Sequence, residues 1–271
     1  MLLAGLVLGL ALLALGYWTA TREPVVRETR VMVAGWPQAQ RPLRVLLVSD
    51  IHVGRPDMPI ERLERIVEQM NALRPDLVLI AGDFVSHKSL WEPTHPSAVV
   101  TGPLAALKPP LGVFAVLGNH DHWGDAAATY RALAGAGVRT LTNQAVRVGP
   151  FALGGLDDDH TGRARLGQTL AEMRALGGVP ILLSHSPDPF PDVPEWVPLM
   201  VAGHTHCGQI SLPLVGPLAT ASRHGRRYAC GRIDENKRTL IVGAGLGTSV
   251  LPLRIGAVPD MWLIEVGAPA P

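Results

Sequence analysis

The sequence predicts an α/β domain behind an apolar N-terminal helix. Residues 2–20 carry no charged side chain, short runs rich in Val, Leu and Ile recur from residue 43 onwards, and a segment with helical periodicity follows the first run. Near-continuous apolar runs indicate strands buried on both faces, so we expect helices to flank the sheet. A chain of 271 residues can bury a sizeable core, as one large domain or as two small ones.

The first segment, LLAGLVLGLALLALGYWTA, is about as long as a helix that spans a bilayer. Tyr17 and Trp18 fall where an interfacial belt of aromatic residues is expected. A cleaved signal peptide is the alternative, but no Lys or Arg precedes the apolar stretch and WTA is a poor cleavage site. We therefore predict a single-pass membrane anchor over residues 1–21.

Charges after this segment bear on the side of the membrane. Arg22, Arg27 and Arg30 follow it, whereas only the amino terminus precedes it. This bias favours a domain on the cytoplasmic face. The exported side stays open because Glu23 and Glu28 lie between the arginines.

Residues 22–42 are predicted as a connector that includes a short strand, VVRETRVMV, and residues 43–271 as the domain. Residues 59–73 carry apolar side chains at helical spacing, with Pro59 at the start. Short pieces at 138–156 suggest antiparallel strands, and 239–244 and 260–266 are expected to complete a second sheet. The strongest strands are LRVLLVS (43–49), DLVLIAGD (76–83), GVFAVLGNHD (112–121), ILLSHS (181–186) and VPLMVAGHTH (197–206).

Charge and cysteine content exclude some classes of function. The formal net charge is +1 and only 5% of residues are aromatic, so we expect no nucleic-acid partner. Cys207 and Cys230 do not make a disulfide framework. We expect two free thiols in a reducing compartment, with one disulfide in an oxidising compartment as the alternative.

Metal-ligating side chains follow each of the strong strands. Ligands converge where strands end at one edge of an open α/β sheet. Mixed oxygen and imidazole donors favour Mn, Fe, Zn or Co over an all-oxygen Mg or Ca site. Each motif alone is weak evidence, but five in order at strand ends indicate a metal site. The side chains are Asp50, His52, Asp83, Asn119, His120, His185, His204 and His206.

The ordered set SDIH, AGD, GNHD, SH and GHTH resembles the calcineurin-like metallophosphoesterases, over about residues 43–266. The resemblance implies a four-layer αββα sandwich of two mixed β-sheets flanked by helices, with two divalent metal ions. It implies that Asp83 bridges the two metals and that His120 is not a ligand but lies near the scissile phosphate, with Asp121 orienting its ring. The remaining implied ligands are Asp50, His52 and His206 for the first metal, and Asn119, His185 and His204 for the second.

The stretches GHTHCGQISLPLVGP and GAGLGTSVLPLR resemble a membrane-anchored branch of that family, which includes the UDP-2,3-diacylglucosamine hydrolases of lipid A assembly. The resemblance implies a dinuclear-metal hydrolase of phosphodiester or pyrophosphate bonds at the membrane, with a lipid-linked substrate as one option. The alternative is a non-catalytic envelope- or lipid-binding module that retains the fold. Such a module is expected to lose some ligands, and here every expected ligand position is filled.

Other residues receive weaker assignments. His122 is expected in a plain loop, with a place at the mouth of the site as the alternative. His160 is expected in a polar turn, with a second cation site at residues 157–159 as the alternative. We expect His87, His95 and His224 to be solvated loop residues. The arginines at 223, 226 and 227 are expected to meet either solvent, substrate phosphates or anionic headgroups. A last expectation is an apolar lip near the site, formed by Leu90, Trp91, Val99 and Val100.

Overall fold

The computed structural model describes residues 2–86, 96–212 and 214–269. Its first element is helix α1 (Leu2–Thr21), which exposes most of its apolar side chains and buries Gly16, Thr19 and Ala20 against the domain. Among the described residues, α1 is the one helix long and apolar enough to cross a membrane, with a mean hydropathy of 2.0. The predicted N-terminal apolar helix is therefore present.

Two six-stranded mixed sheets form the centre of the domain. The first has the order β1 (Val25–Met32), β14 (Asp260–Gly267), β2 (Leu43–Val48), β3 (Leu77–Ala81), β4 (Val113–Val116) and β5 (Val138–Thr140). The second has the order β12 (Gly231–Glu235), β13 (Arg238–Val242), β9 (Leu199–Ala202), β8 (Val179–Leu183), β7 (Phe151–Gly155) and β6 (Gln144–Val148). A two-stranded hairpin, β10 (Ser211–Leu212) and β11 (Gly216–Pro217), stands outside both.

Strand direction accounts for the position of the strand ends. Strands β2 to β5 run parallel to one another, and so do β7, β8, β9 and β13. The antiparallel pairs are β14 with β2, β6 with β7, and β12 with β13. All the strands that carry the metal-ligand motifs therefore end at the same edge of their sheet.

Alternation along the strands builds a layered core. Successive side chains point to opposite faces of a sheet, so Val45 and Leu47 pack between the two sheets while Leu46 and Val48 face helices. The outer face of the first sheet is covered by α2 (Ile60–Ala72), α3 (Thr101–Ala105) and α5 (Ala126–Gly135), and that of the second by α6 (Leu166–Leu176). This arrangement is the predicted four-layer αββα sandwich.

Sheet membership differs from the sequence prediction in three places. The last strand, β14, lies in the first sheet beside β2 and not in the second. The piece at 138–140 pairs in parallel with β4, and only β6 and β7 form the expected antiparallel pair. Strand β1, from the segment predicted as a connector, pairs in parallel with β14 at the edge of the first sheet. Partner choice depends on contacts far along the chain, which local patterns do not specify.

Candidate metal centre

The loops after five parallel strands bring seven metal-ligating side chains into one buried cluster. Strands β2, β3 and β4 supply ligands from the first sheet, and β8 and β9 supply them from the second. The backbone N–H of His204 donates to the Asp50 carboxylate at 3.0 Å, so the two groups of loops are joined directly. All seven are less than 7% exposed: Asp50, His52, Asp83, Asn119, His185, His204 and His206.

Three of these side chains form a first group. His52 Nε2 and His206 Nε2 lie 3.3 Å apart, and His206 Nε2 lies 3.4 Å from Asp50 Oδ1. Each offers a ligand atom within 4.8 Å of the other two. Two imidazole nitrogens and a carboxylate oxygen at this spacing can hold one divalent cation.

A second group lies beside the first. His185 Nε2 is 3.0 Å from Asn119 Oδ1 and 3.1 Å from His204 Nδ1. Asp83 lies between the groups, because its Oδ2 atom is 3.5 Å from His52 Nε2 and 3.4 Å from His185 Nε2. Its other oxygen, Oδ1, accepts the backbone N–H of His120 at 2.9 Å. The Oδ2 atom is therefore the one placed to face both groups.

Backbone hydrogen bonds fix which nitrogens face the centre. His185 Nδ1 lies 2.6 Å from the carbonyl oxygen of Ala81, and His204 Nε2 lies 3.1 Å from that of Ala221. A carbonyl oxygen only accepts, so these nitrogens carry protons, and the opposite nitrogens, His185 Nε2 and His204 Nδ1, face each other. Imidazole nitrogens and carboxylate oxygens that converge in this way form a donor set that fits a divalent cation.

Charges in the cluster are strongly coupled. Burial lowers the pKa of His185, but the neighbouring Asp83 carboxylate outweighs it and holds this pKa well above its ordinary value. Burial and the charge of His185 lower the pKa of His204 to about 4. Burial and the Arg254 guanidinium hold the pKa of His206 well below its ordinary value. His204 and His206 are thus neutral at pH 7, which is the form that binds a metal.

The ligand loops are held in an uncommon backbone conformation. Positive φ angles occur at five of the seven residues: Asp50 (51°), His52 (47°), Asp83 (58°), His204 (71°) and His206 (49°). Non-glycine residues in the left-handed region cost free energy and persist where surrounding structure imposes them, as they do at functional sites. Gly118 contributes by its lack of a side chain, since a Cβ there would lie 2.7 Å from His185 Cε1.

His120 and Asp121 lie on α4 (Asn119–Trp123), the short helix after β4. The half-buried His120 ring packs edge-on to the His52 ring, with 4.7 Å between centroids, and one of its nitrogens lies within 4.8 Å of the His52 and Asp83 ligand atoms. The Asp121 carboxylate accepts the backbone N–H groups of Asp83, Phe84 and Gly118 at 2.8–3.0 Å. Asp121 therefore joins the loops after β3 and β4. The orientation of the His120 ring by Asp121 stays a prediction.

The cluster opens into a cavity of about 490 Å³. Four aromatic or imidazole side chains line it: His120, Trp123, His160 and His204. Leu218, Val250 and Leu251 join them from two loops of the second half of the chain. No pattern in the sequence selects Trp123, whereas His160 lies in the turn that was predicted for it. In the structure the His160 ring lies 4.8 Å from the His204 ring, so it belongs to the wall of the site.

The other residues singled out in the sequence have different partners. His122 lies in α4 and not in a loop, and its Nε2 atom is 2.7 Å from Asp157 Oδ1. Arg223 forms ion pairs with Asp159 and Asp188. The expected apolar lip is not formed by Val99 and Val100, because both pack into the core below the first sheet. His87, Leu90, Trp91 and His95 lie outside the described residues.

Sequence reasoning also missed Arg254. This side chain is fully buried, its Nη2 donates to the carbonyls of Ala244 and Gly245, and Nη2 lies 3.4 Å from His206 Nδ1. A buried guanidinium beside the His206 ring limits the positions that this candidate ligand can take. Its only signal in the sequence is that it closes the stretch GAGLGTSVLPLR.

The cysteines correct the expectation of free thiols. Cys207 and Cys230 form a disulfide, which closes a segment of 23 residues directly after the ligand His206. The sequence could not show this, because the two cysteines meet only through the path of the intervening loop. Disulfides persist in oxidising compartments, so the bond removes the argument for a reducing one. It also occupies the Cys207 sulfur, which is then not a metal ligand.

A family model described as "Calcineurin-like phosphoesterase" matches residues 43–208, which is more than half of the chain. The chain belongs to the calcineurin-like phosphoesterase family. It is a phosphoester hydrolase of that fold, as the ordered motifs predicted. The family is metal-dependent, and the Asp and His cluster described above can bind a metal.

Relatives support the same family. The "Uncharacterized metallophosphoesterase YkuE" of Bacillus subtilis is 31% identical over 82% of this chain and 78% of its own. The "Phosphodiesterase YaeI" of Escherichia coli is 30% identical over 83% of this chain and 82% of its own. A "Transmembrane protein with metallophosphoesterase domain" of Danio rerio is 29% identical over 93% of this chain, which spans 59% of that longer relative.

Proposed function

We propose that this chain hydrolyses phosphodiester or pyrophosphate bonds with two divalent cations held by the seven buried side chains. One observation carries the proposal: donor atoms from two sheets converge in two adjacent groups, with Asp83 Oδ2 facing both. The mixed nitrogen and oxygen donors favour Mn, Fe, Zn or Co. When bound, a pair of cations neutralises phosphate charge in the transition state and lowers the pKa of water.

His120 is the residue we assign to direct contact with the substrate. It lines the cavity, and the hydrogen bond from its backbone N–H to Asp83 fixes its position relative to the ligands. A protonated imidazole here donates to a phosphate oxygen or gives a proton to the leaving oxygen. Asp121 supports it indirectly, since its carboxylate holds the backbone at Asp83 and Gly118.

The test compares His120→Ala with His224→Ala, a histidine that is exposed and does not line the cavity. Both variants are loaded with Mn, their metal content is measured, and hydrolysis of bis(4-nitrophenyl) phosphate is followed. We expect both to retain the wild-type metal content. Turnover should fall by about 10²–10⁴-fold in His120→Ala alone, the range for loss of a general acid or base. Near wild-type turnover in His120→Ala would refute its role.

A non-catalytic binding module was the alternative from the sequence. A module that does not catalyse hydrolysis is expected to have lost some of these side chains, yet all seven are present and converge. Membership of a phosphoesterase family also favours catalysis. Metal-dependent turnover of the aryl diester in the wild type separates the two functions directly.

We further propose that the substrate is lipid-linked and is cleaved at the membrane. Helix α1 supports this, because its apolar surface is exposed around most of its length. UDP-2,3-diacylglucosamine and a membrane phospholipid are the two substrates to compare with the aryl diester. Faster hydrolysis of the aryl diester than of both lipids, in vesicles that hold the full chain, would contradict a lipid-linked substrate.

The side of the membrane follows from the disulfide in this proposal. The Cys207–Cys230 bond favours an oxidising compartment, and therefore the exported face over the cytoplasmic face that the arginines suggested. Treatment of intact cells with a membrane-impermeant reductant, then an impermeant maleimide, tests this. Labelling of Cys230, the exposed cysteine of the pair, is expected on the exported face, and labelling only after lysis would place the domain in the cytoplasm.

A further inference from the structure

Two segments beside the metal cavity carry exposed apolar side chains. The β10–β11 hairpin carries Leu212, Leu214 and Val215, of which Leu214 is fully exposed and Val215 49% exposed. Val250 and Leu251, on the loop before β14, are 66% and 40% exposed. We call these five residues the apolar rim. Contiguous exposed apolar side chains on a folded domain mark a site of interaction.

The rim is joined to the cavity and to one framework of hydrogen bonds. Val250 and Leu251 line the cavity itself. Gln209, three residues after His206, donates through Nε2 to the Leu251 carbonyl and accepts the Ser249 N–H. Ile210 forms bridges with Ile255 on the opposite loop. The hairpin and the 249–256 loop are thus held together beside the metal ligands.

The same loop is attached to helix α1. The backbone N–H of Arg254 donates to the Gly16 carbonyl at 2.9 Å, although Gly16 lies inside the helix. The Leu253 side chain packs there, and a Cβ on Gly16 would be 3.4 Å from it. Tyr17 Oη donates to the Pro56 carbonyl at 3.2 Å. The end of α1 is therefore fixed against the domain next to the rim.

This attachment sets the depth of the rim relative to a membrane. Gly16 lies two residues before Trp18, which is about 3 Å along a helix that rises ~1.5 Å per residue. Leu251 is two residues from Leu253, so it lies within roughly 7 Å of that contact along the chain. Tyr17 and Trp18 are typical of the membrane interface. If α1 crosses the membrane with Tyr17 and Trp18 at the interface, the apolar rim lies at the same interface.

We infer that the apolar rim docks onto the bilayer surface and turns the mouth of the metal cavity towards the lipid headgroups. Its occupant is the lipid bilayer, because the rim is continuous with the attachment of the membrane helix. The phosphate of an amphiphilic substrate then reaches the cavity while its apolar part stays over the rim. The substrate half of this inference rests on the proposed function, whereas the docking half does not.

Docking is tested on the full chain in phosphatidylglycerol and phosphatidylethanolamine vesicles, without reference to activity. The native cysteines are bonded to each other, so Leu214→Cys takes a single environment-sensitive fluorophore. Lys237→Cys is the control, since Lys237 precedes β13 at the sheet edge opposite to the cavity. We expect lipids with nitroxide groups near the headgroup to quench the label at 214 and not at 237. No quenching at 214 would overturn the docking, and so would shielding of that label by a second copy of the chain.

A second experiment connects docking to substrate access. Leu214→Glu with Val215→Glu adds charge to the rim at residues that do not line the cavity. Leu176→Glu is the matched control, because Leu176 is also exposed but ends α6 at the opposite edge of the second sheet. Hydrolysis is measured on bis(4-nitrophenyl) phosphate in solution and on a phosphatidyl-4-nitrophenol embedded in vesicles, which release the same chromophore.

We expect the double rim variant to lose at least about tenfold in rate on the embedded substrate, the effect of roughly 1.4 kcal/mol in the barrier, and to keep its rate on the soluble one. Leu176→Glu should keep both rates. An equal loss on both substrates, or no loss on either, would overturn the inference. If the wild type hydrolyses neither substrate, the proposed function fails, while quenching at 214 still decides whether the rim docks.

Discussion

The disulfide beside the metal centre should stabilise the fold and the ligand set together. Replacing both cysteines, by Cys207→Ser with Cys230→Ser, opens a closed segment of 23 residues. In the chain-entropy model, closure of a loop of this length removes about 11–12 cal/mol/K from the unfolded chain, or about 3 kcal/mol at 25 °C. We therefore expect the free energy of unfolding to fall by about 3 kcal/mol in the double variant.

The opened loop also carries two contacts to the ligand segment. The Ala221 carbonyl accepts His204 Nε2–H, and the Ala229 carbonyl accepts the Thr205 hydroxyl at 2.7 Å. Looser ends of this loop weaken both contacts, so the double variant should also retain less metal after dialysis. If the disulfide only restricted the unfolded chain, the double variant would lose stability but keep its metal content.

The assay is guanidinium unfolding of metal-free protein, followed by metal analysis of reloaded protein. Wild type treated with a reductant is the control, and should unfold at the same midpoint as the untreated double variant. An unchanged midpoint in the double variant would show that the disulfide does not stabilise the fold. Two titratable thiols in purified wild type, before any reduction, would refute the disulfide itself.

Three further predictions concern the ligands themselves. Gly118→Ala should reduce metal content and turnover, because its Cβ would lie 2.8 Å from His185 Nδ1. Gly102→Ala is the control and should change neither quantity, because no atom lies within 4 Å of the new Cβ. Equal behaviour of the two variants would contradict the close packing at Gly118. Dialysis against a chelator should abolish turnover and Mn should restore it; activity that survives full metal removal would disprove the metal's role. The pKa of His204 is about 4, against ~6.5 in an unfolded chain, so the unfolded state binds more protons between these values. Metal-free wild type should therefore lose up to about 3 kcal/mol from this group as the pH falls from ~6.5 to 4. The free energy of unfolding of His204→Gln should fall less over this pH range. Identical pH profiles of the free energy of unfolding in the variant and the wild type would show that His204 does not titrate in this way.

The convergence of these side chains could be predicted from the sequence because its signal is local. A candidate ligand such as Asp83 follows its strand within two residues, and strand direction then brings the ends of parallel strands together. The helix at 60–72 was equally visible, since its apolar spacing and Pro59 lie within one segment. Both predictions needed only neighbouring residues and a general rule of α/β folds.

The remainder depended on distant contacts. Strand β14 has the apolar pattern of a buried strand in either sheet, and only its pairing with β2 assigns it to the first. Val100 was predicted to lie in an exposed apolar lip, but the helices over the first sheet bury it completely. The disulfide and the contact of Arg254 with His206 likewise join positions whose proximity exists only after folding.

Anomalous diffraction from crystals grown with Mn would show whether the seven side chains hold two cations. Two peaks about 3.5–4 Å apart should appear, the separation of paired catalytic metals, and both should lie within bonding distance of Asp83 Oδ2. One should contact Asp50, His52 and His206. A single peak, or two peaks that do not share Asp83, would contradict a two-cation centre built from these seven side chains.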